Sequence, residues 1–226
     1  MRKRILTPIS LLLITSACIG SSQKPICDCN ADAANVVRLI NEYHFTDNQI
    51  YADSALIVLN QVIDRCPQWR SNMMLRKALL FNDLAKYKDA INTISSLEDA
   101  DLPALYNKTI ITNKIKANEA LSKNDTTMYR SYVGKVVVEY DRMLNSKRNQ
   151  VDSILTSKSY DAIMNSDLTP LVELYYYHKS ELNGNEQVID EINKLEKDID
   201  GNQAYFNQLR AYFQEDSNIH MSILFE

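Results

Sequence analysis

Three histidines and one aromatic run hold the side chains that could catalyse a reaction. His44, His178 and His220 lie far apart in the sequence, and none belongs to a His-Glu-x-x-His, Gly-x-Ser-x-Gly or cysteine–histidine signature. One constellation joins a carboxylate to aromatic side chains: Glu173 with the Tyr-Tyr-Tyr-His run at 175–178. Consecutive tyrosines on a helix cover several faces, so we expect some in the core and others at a helix contact or a binding surface. The sequence therefore predicts a protein that is not an enzyme and that needs no cofactor.

A second kind of chemistry is indicated at the N-terminus. Basic residues at 2–4 precede a mostly apolar stretch at 5–14, and small residues lead to Cys18. This order resembles a bacterial lipoprotein signal, with Thr15 where leucine is usual. The resemblance implies a signal helix over 1–17 that is removed, acyl chains such as palmitate on Cys18, and a tether over 18–29. Since no aspartate follows Cys18, it favours an outer membrane within the cell envelope; an ordinary secretory signal cut elsewhere is the alternative.

The remaining cysteines, Cys27, Cys29 and Cys66, raise the question of a disulfide, because exported compartments are oxidising. If a helix beginning near Asn30 lies antiparallel to one ending at Cys66, the start of the first adjoins the end of the second. We therefore expect Cys27 or Cys29 to bond to Cys66. A metal site at Cys27-Asp28-Cys29 is the alternative, but it lacks a second cysteine or histidine pair.

Composition narrows the class of protein. The chain has 25 basic and 29 acidic residues, and removal of 1–17 takes away three basic residues and no acid, which leaves a net charge near −7. Without clustered Lys and Arg, a nucleic-acid partner is disfavoured. Only four glycines occur in 226 residues, and this scarcity argues against tight hairpins, phosphate-binding loops and dinucleotide folds. The sequence predicts an all-α protein.

Apolar periodicity supports helices and adds a repeat. Large and small apolar residues recur at steps of three and four over 55–66, before Pro67, and again over 87–97. Fixed-period self-similarity of this kind is typical of helical solenoids. The separation is 35 residues in four pairs: Ala52 with Tyr87, Ala55 with Ala90, Leu59 with Ile94, and Val62 with Leu97.

Residues 50–103 resemble the tetratricopeptide repeat (TPR). The run 87–91 matches the start of its second helix, Ala78 and Phe81 occupy the small and aromatic positions of the first, and Pro67 matches a terminal proline. Lys77 departs from the preferred leucine. The resemblance implies a TPR-like α-solenoid of antiparallel helix pairs over 30–226, with a concave groove lined mainly by the first helix of each pair. The groove positions that it implies in this chain are Asn72, Leu75, Leu79, Asn82 and Asp83.

Helix signals continue beyond 103. We expect a helix over 149–165, another that begins at Thr169-Pro170 and ends at Asn183-Gly184, and an apolar seam shared by 188–199 and 206–213. The apolar end at 222–225 is expected to dock on the last helix or to contact a partner.

The leading hypothesis is a membrane-anchored, non-enzymatic interaction scaffold that binds a protein or peptide partner, attached to the membrane through the lipid on Cys18. Asparagines in the groove are suited to hydrogen-bonding a peptide backbone whatever its sequence. A carbohydrate- or peptidoglycan-binding lipoprotein that uses exposed tyrosines and Trp69 is one alternative, and a toxin-neutralising immunity lipoprotein is another. Aromatics gathered with a carboxylate in one pocket favour sugar, whereas a long groove of amides and aliphatics favours peptide.

Overall fold

The computed structural model of the protein describes residues 28–214, and this part of the chain is helical, with no β-strand. The all-α prediction is confirmed. None of the helices within 28–214 is both long and apolar enough to cross a membrane. The eleven α-helices of the described residues are α1 (Cys29–Thr46), α2 (Gln49–Arg65), α3 (Arg70–Asp83), α4 (Tyr87–Ser95), α5 (Lys108–Ser122), α6 (Thr126–Ser146), α7 (Arg148–Leu155), α8 (Tyr160–Met164), α9 (Thr169–Asn183), α10 (Asn185–Ile199) and α11 (Gln203–Gln214).

Four helix pairs are built with the same kind of turn. The turns of α1–α2, α3–α4, α5–α6 and α9–α10 are one to three residues long. Each contains one residue in a left-handed or other positive-φ conformation, which ends the first helix and reverses the chain. These residues are Asp47 (φ 52°), Ala85 (55°), Asn124 (56°) and Gly184 (84°). The expected end of α9 at Asn183-Gly184 is therefore confirmed.

The apolar core extends along the chain as three clusters. The first cluster joins α1, α2 and α3, and includes Val36, Leu59 and Met73. The second joins α3, α4, α5, α6 and α9. The third joins α7 to α11, and it places Ile192 of α10 with Phe206 of α11, as the predicted seam requires. Each helix from α1 to α6 packs on the next, and α9 packs on α6.

Three of the four pairs that repeat at 35 residues have matching burial; in the fourth, Ala52 is completely buried and Tyr87 only partly. Ala55 and Leu59 of α2 are completely buried, and so are Ala90 and Ile94 of α4. The last pair, Val62 and Leu97, is also buried, although α4 ends at Ser95 and Leu97 lies beyond it. From Ala55 and Ala90 onward, the repeat in the sequence thus corresponds to the same buried face in two successive helix pairs.

A disulfide ties the first pair together. Cys29 at the start of α1 bonds to Cys66 after the end of α2, with a Cα–Cα distance of 5.8 Å. Of the two partners left open for Cys66, the structure has Cys29. Closing a loop of 37 residues restricts the unfolded chain and stabilises the fold by about 4 kcal/mol in the chain-entropy model. Cys18 and Cys27, together with the segment 222–225, lie outside the described residues.

The helix expected over 149–165 is wrong, because the structure divides it into α7 and α8. The hydroxyl of Thr156 donates to the carbonyl of Asp152 at 2.9 Å, and the Ser159 side chain accepts from the amide of Ala162 at 3.2 Å, so hydroxyl groups end one helix and begin the next. The backbone N–H of Asn202, just before α11, donates to the carbonyl of Leu155 at 2.8 Å. The break after α7 therefore leaves a carbonyl that anchors the start of the last helix.

Candidate functional site

A groove of about 870 Å³ opens along the face formed by α1, α3, α5 and α9, which are the first helices of the four pairs. Its lining combines aliphatic side chains and carboxamides with aromatic and charged groups. One asparagine comes from each of α1, α3 and α5. The aliphatic residues are Ile40, Leu79, Leu80, Ile111 and Ile115, and the asparagines are Asn41, Asn82 and Asn118.

A chain of side-chain hydrogen bonds crosses the groove from α5 to α1. Asn118 donates from Nδ2 to Oδ1 of Asn82 at 3.1 Å, and Asn82 donates from Nδ2 to Oδ1 of Asp83 at 3.3 Å. On the far side, Nε2 of His44 lies 3.0 Å from Oδ2 of Asp83. These hydrogen bonds are accessible to solvent. The same side chains can therefore break them and form hydrogen bonds with a ligand instead.

At the α9 end the groove reaches a buried histidine. His178 is only 3% exposed, and its Nδ1 lies 2.6 Å from Oε2 of Glu181. The hydroxyl of Tyr129 donates to the other carboxylate oxygen, Oε1, at 2.8 Å. The imidazole stacks on the ring of Tyr140, with centroids 5.6 Å apart and planes 10° from parallel. Its second nitrogen, Nε2, is buried and has no hydrogen-bond partner among residues 28–214.

The electrostatics of this end determine which nitrogen carries the proton. Burial lowers the pKa of His178 and outweighs the opposing hydrogen bond to Glu181, so the ring is neutral at pH 7. Burial acts to raise the pKa of Glu181, but hydrogen bonds from His178 and Tyr129 lower it overall, and the carboxylate is ionised. An ionised carboxylate only accepts, so Nδ1 of His178 carries the hydrogen and Nε2 presents a lone pair.

Two cations also line the groove. Burial lowers the pKa of Lys114, against the opposing charge of Glu181, and it also lowers the pKa of Arg76. Nε of Arg76 donates to Oδ1 of Asn72 at 3.0 Å. With the carboxylates of Asp83 and Glu181 nearby, the lining has mixed charge, which suits a ligand of alternating donors and acceptors better than a polyanion.

The groove residues implied by the TPR resemblance separate into two groups. Leu79, Asn82 and Asp83 line the groove. Leu75 does not, because it is 6% exposed and packs in the second apolar cluster. Asn72 is exposed on α3 outside the lining and meets the groove only through its bond to Arg76.

The aromatic run at 175–178 is divided between the core and the groove. Tyr176 is buried in the third cluster, whereas Tyr177 and His178 line the groove. Burial raises the pKa of Tyr177 to about 12, with the nearby charge of Glu181 as a further cause, so its hydroxyl stays protonated. Glu173 does not line the groove, and burial raises its pKa. The carboxylate that joins the histidine is Glu181, three residues further on.

Two further expectations concern residues outside the groove. Trp69 donates from Nε1 to Oδ1 of Asn30 at 3.1 Å and packs against the first cluster, so it contributes nothing to the groove lining. Within the described chain, no three His, Cys, Asp or Glu side chains are grouped closely enough to hold a metal ion.

Sequence reasoning missed most of the polar groups at the α5 and α9 end. Lys114, Tyr129 and Glu181 come from three helices, and their proximity follows from how α5, α6 and α9 pack. One signal was available, since His178 and Glu181 are three residues apart and therefore share a helical face.

Compared with known proteins, the chain matches no family model, no curated protein and no solved structure.

Proposed function

We propose that this protein is a non-enzymatic, TPR-like α-solenoid that binds an extended segment of a protein partner in the groove of α1, α3, α5 and α9. The observation that carries the proposal is the lining itself: it includes five aliphatic residues and one asparagine from each of three successive first helices. A carboxamide offers both donors and an acceptor. Asn41, Asn82 and Asn118 are therefore suited to a peptide backbone whose side chains vary.

The expected length of the groove suits an extended peptide. If the four first helices lie side by side at the usual spacing of about 9 Å between axes, they span roughly 27 Å. A strand rises about 3.3 Å per residue, and the groove then accommodates about eight residues. The aliphatic lining would cover alternate side chains of the peptide, while the amides meet its backbone.

The cell-envelope location belongs to the same proposal. The signal-like sequence before Cys18 supports export and lipidation, and the disulfide between Cys29 and Cys66 suits an oxidising compartment. A lipid on Cys18 would hold the groove near the surface of a membrane, with the outer membrane favoured, and make the protein a tethered scaffold for its partner.

Carbohydrate binding is a weaker candidate. Two tyrosines line the groove, but Tyr43 is only 9% exposed and belongs to the first apolar cluster. Trp69 packs elsewhere, and both oxygens of Glu181 already accept hydrogen bonds from the protein. Sugar stacking needs an open aromatic face, and a catalytic acid needs an available carboxyl.

The test is selection from a random library of peptides about eight residues long, followed by calorimetry with the selected peptide. Each lost hydrogen bond contributes about 1 kcal/mol, so a double variant, Asn82→Ala with Asn118→Ala, should bind about 30-fold more weakly. Asn92→Ala is the matched control, because Asn92 is an exposed asparagine on α4, outside the groove. If no peptide is selected, or if the double variant binds as tightly as the wild type and Asn92→Ala, the proposal of peptide binding in the groove is wrong.

A further inference from the structure

The C-terminal segment 215–226 follows α11 and lies outside the described residues, and its sequence has a pattern that suits an extended ligand. Over 219–225 every second residue is apolar, which is the period of a strand with one covered face. These alternate residues are Ile219, Met221, Ile223 and Phe225. The stretch 217–225 contains no Asp, Glu, Lys or Arg. It would therefore bury no charged side chain on a partly apolar surface.

The end of α11 brings this segment to one end of the groove. Glu173, Tyr177 and Glu181 follow at steps of four on α9 and share a face, and the last two line the groove. Tyr212, near the end of α11, packs against the third apolar cluster, to which α9 contributes. Burial and the charge of Glu181 raise the pKa of Tyr177, and Tyr212 adds to them; screening confines such an influence to about 10 Å. The chain therefore leaves α11 beside the α9 end of the groove.

The length of the segment matches the groove. An extended chain rises about 3.3 Å per residue, so the polar residues 215–218 would reach about 13 Å beyond α11, and 219–225 would cover about 23 Å more. Four first helices side by side are expected to span roughly 27 Å. Residues 215–218 can thus serve as a linker, and 219–225 can cross most of the groove.

The groove offers accessible groups to this segment, whereas α11 offers few. The large apolar residues of α11 that face the core are already buried: Tyr205, Phe206, Leu209 and Phe213. The exposed residues of α11 are polar or alanine. In the groove, Leu79 and Tyr177 are partly exposed, and Asn41 and Asn118 are exposed. Apolar side chains and backbone groups of an extended segment can therefore reach the lining.

We propose that residues 219–225 bind, extended, in the groove of their own chain, with the alternate apolar side chains against the lining, and compete there with the partner. The inference rests on the proposed function in one respect, that the groove accepts an extended segment. A short linker gives an effective concentration of about 1 mM. A segment that on its own binds with a dissociation constant of about 0.1 mM would then weaken partner binding about tenfold. The segment is an autoinhibitory one.

The first test is photo-cross-linking in the full chain, which needs no partner. The segment would run from α9 towards α1, so benzoylphenylalanine in place of Ile219 should react with α5 or α9, and in place of Phe225 with α1 or α3. Both cross-links should be intramolecular, and mass spectrometry locates them. Ala204→benzoylphenylalanine is the control, because Ala204 is exposed at the start of α11 and does not line the groove.

The second test is competition, measured by calorimetry with the peptide selected for the wild type. Ile223→Asp with Phe225→Asp puts two charges on the face that would meet the lining, and this double variant should bind the peptide about tenfold more tightly than the wild type. His220→Asp with Ser222→Asp adds the same charge at the intervening positions and is the matched control. It should bind the peptide about as the wild type does.

The two proposals can fail separately. If position 225 reacts only outside the groove or only with a second chain, or if the two double variants bind the peptide alike, the segment is not an internal competitor, and the proposed function stands. If the groove cross-links form but no peptide is selected, even with Ile223→Asp and Phe225→Asp in place, the inference stands and binding of a partner peptide is wrong.

Discussion

Removal of the Glu181 carboxylate should destabilise the protein more than removal of any solvent-exposed carboxylate. In Glu181→Gln one oxygen remains to serve two donors, Nδ1–H of His178 and the hydroxyl of Tyr129, which now lie 2.6 and 2.8 Å from the carboxylate oxygens. A hydrogen bond to a charged acceptor contributes about 1.5–3 kcal/mol, and a stranded buried donor costs a similar amount. Lys114 loses its neighbouring charge as well. We expect the free energy of unfolding to fall by about 3 kcal/mol.

The assay is urea unfolding at neutral pH, followed by circular dichroism, with Glu119→Gln as the matched control. Glu119 pairs with Lys123 four residues later on an exposed surface, at 2.6 Å, so the same substitution there should change stability little. If Glu181→Gln unfolds at the same urea concentration as Glu119→Gln, the carboxylate does not hold His178 in the way described, and the orientation of Nε2 loses its physical basis.

The same pair predicts the pH dependence of stability. Burial lowers the pKa of His178 in the folded protein, so near its ordinary value of about 6.5 the unfolded chain binds a proton that the folded chain does not. Stability should therefore be complete above about pH 6.5 and decrease as the pH falls below it. The lowered pKa of Glu181 acts in the same direction in more acidic solution. In His178→Gln the loss just below pH 6.5 should disappear; an unchanged profile would contradict this assignment.

Three further substitutions test the packing and the turns. Replacing both Cys29 and Cys66 by serine should lower the free energy of unfolding by about 4 kcal/mol in denaturation experiments, and a loss below about 1 kcal/mol would show that the loop contributes little. Gly201→Ala should cost about 1–3 kcal/mol in the same assay, because its Cβ would lie 2.3 Å from a ring carbon of the fully buried Phe206; wild-type stability would contradict the close approach. Ala85→Gly should stabilise by up to about 1 kcal/mol in thermal unfolding, since Ala85 has a φ of 55°; a loss would mean that Ala85 is not strained.

The sequence contained enough information for the helices but not for every boundary between them. The spacing of Leu59 and Ile94 identified the buried faces of α2 and α4, because helical periodicity is a local property. The division between α7 and α8 was missed, although Thr156 and Ser159 carry hydroxyl groups that compete for backbone hydrogen bonds. Its second cause, the bond from Asn202 to the carbonyl of Leu155, is tertiary and has no local signal.

The candidate site was predictable only as far as the repeat extends. Within the matched repeat, Leu79, Asn82 and Asp83 line the groove. Leu75 belongs to the core because neighbouring helices cover that part of α3, a property of the packing and not of α3 alone. The buried polar group at the other end needs α5, α6 and α9 together, and its residues, Lys114, Tyr129, His178 and Glu181, extend over 68 positions of the chain.

The two ends of the groove are held by different parts of the fold. α1 carries Asn41 and His44 into the groove, and it is fixed by the first apolar cluster and by the disulfide of Cys29 with Cys66. α9 carries His178 and Glu181, and its apolar residues belong to the second and third clusters. A ligand that reaches from His44 to His178 must therefore contact surfaces that are stabilised separately. Binding of such a ligand would hold these two parts of the protein together. The exposed contact between His44 and Asp83 joins α1 to α3, and the ligand would reinforce this contact most directly.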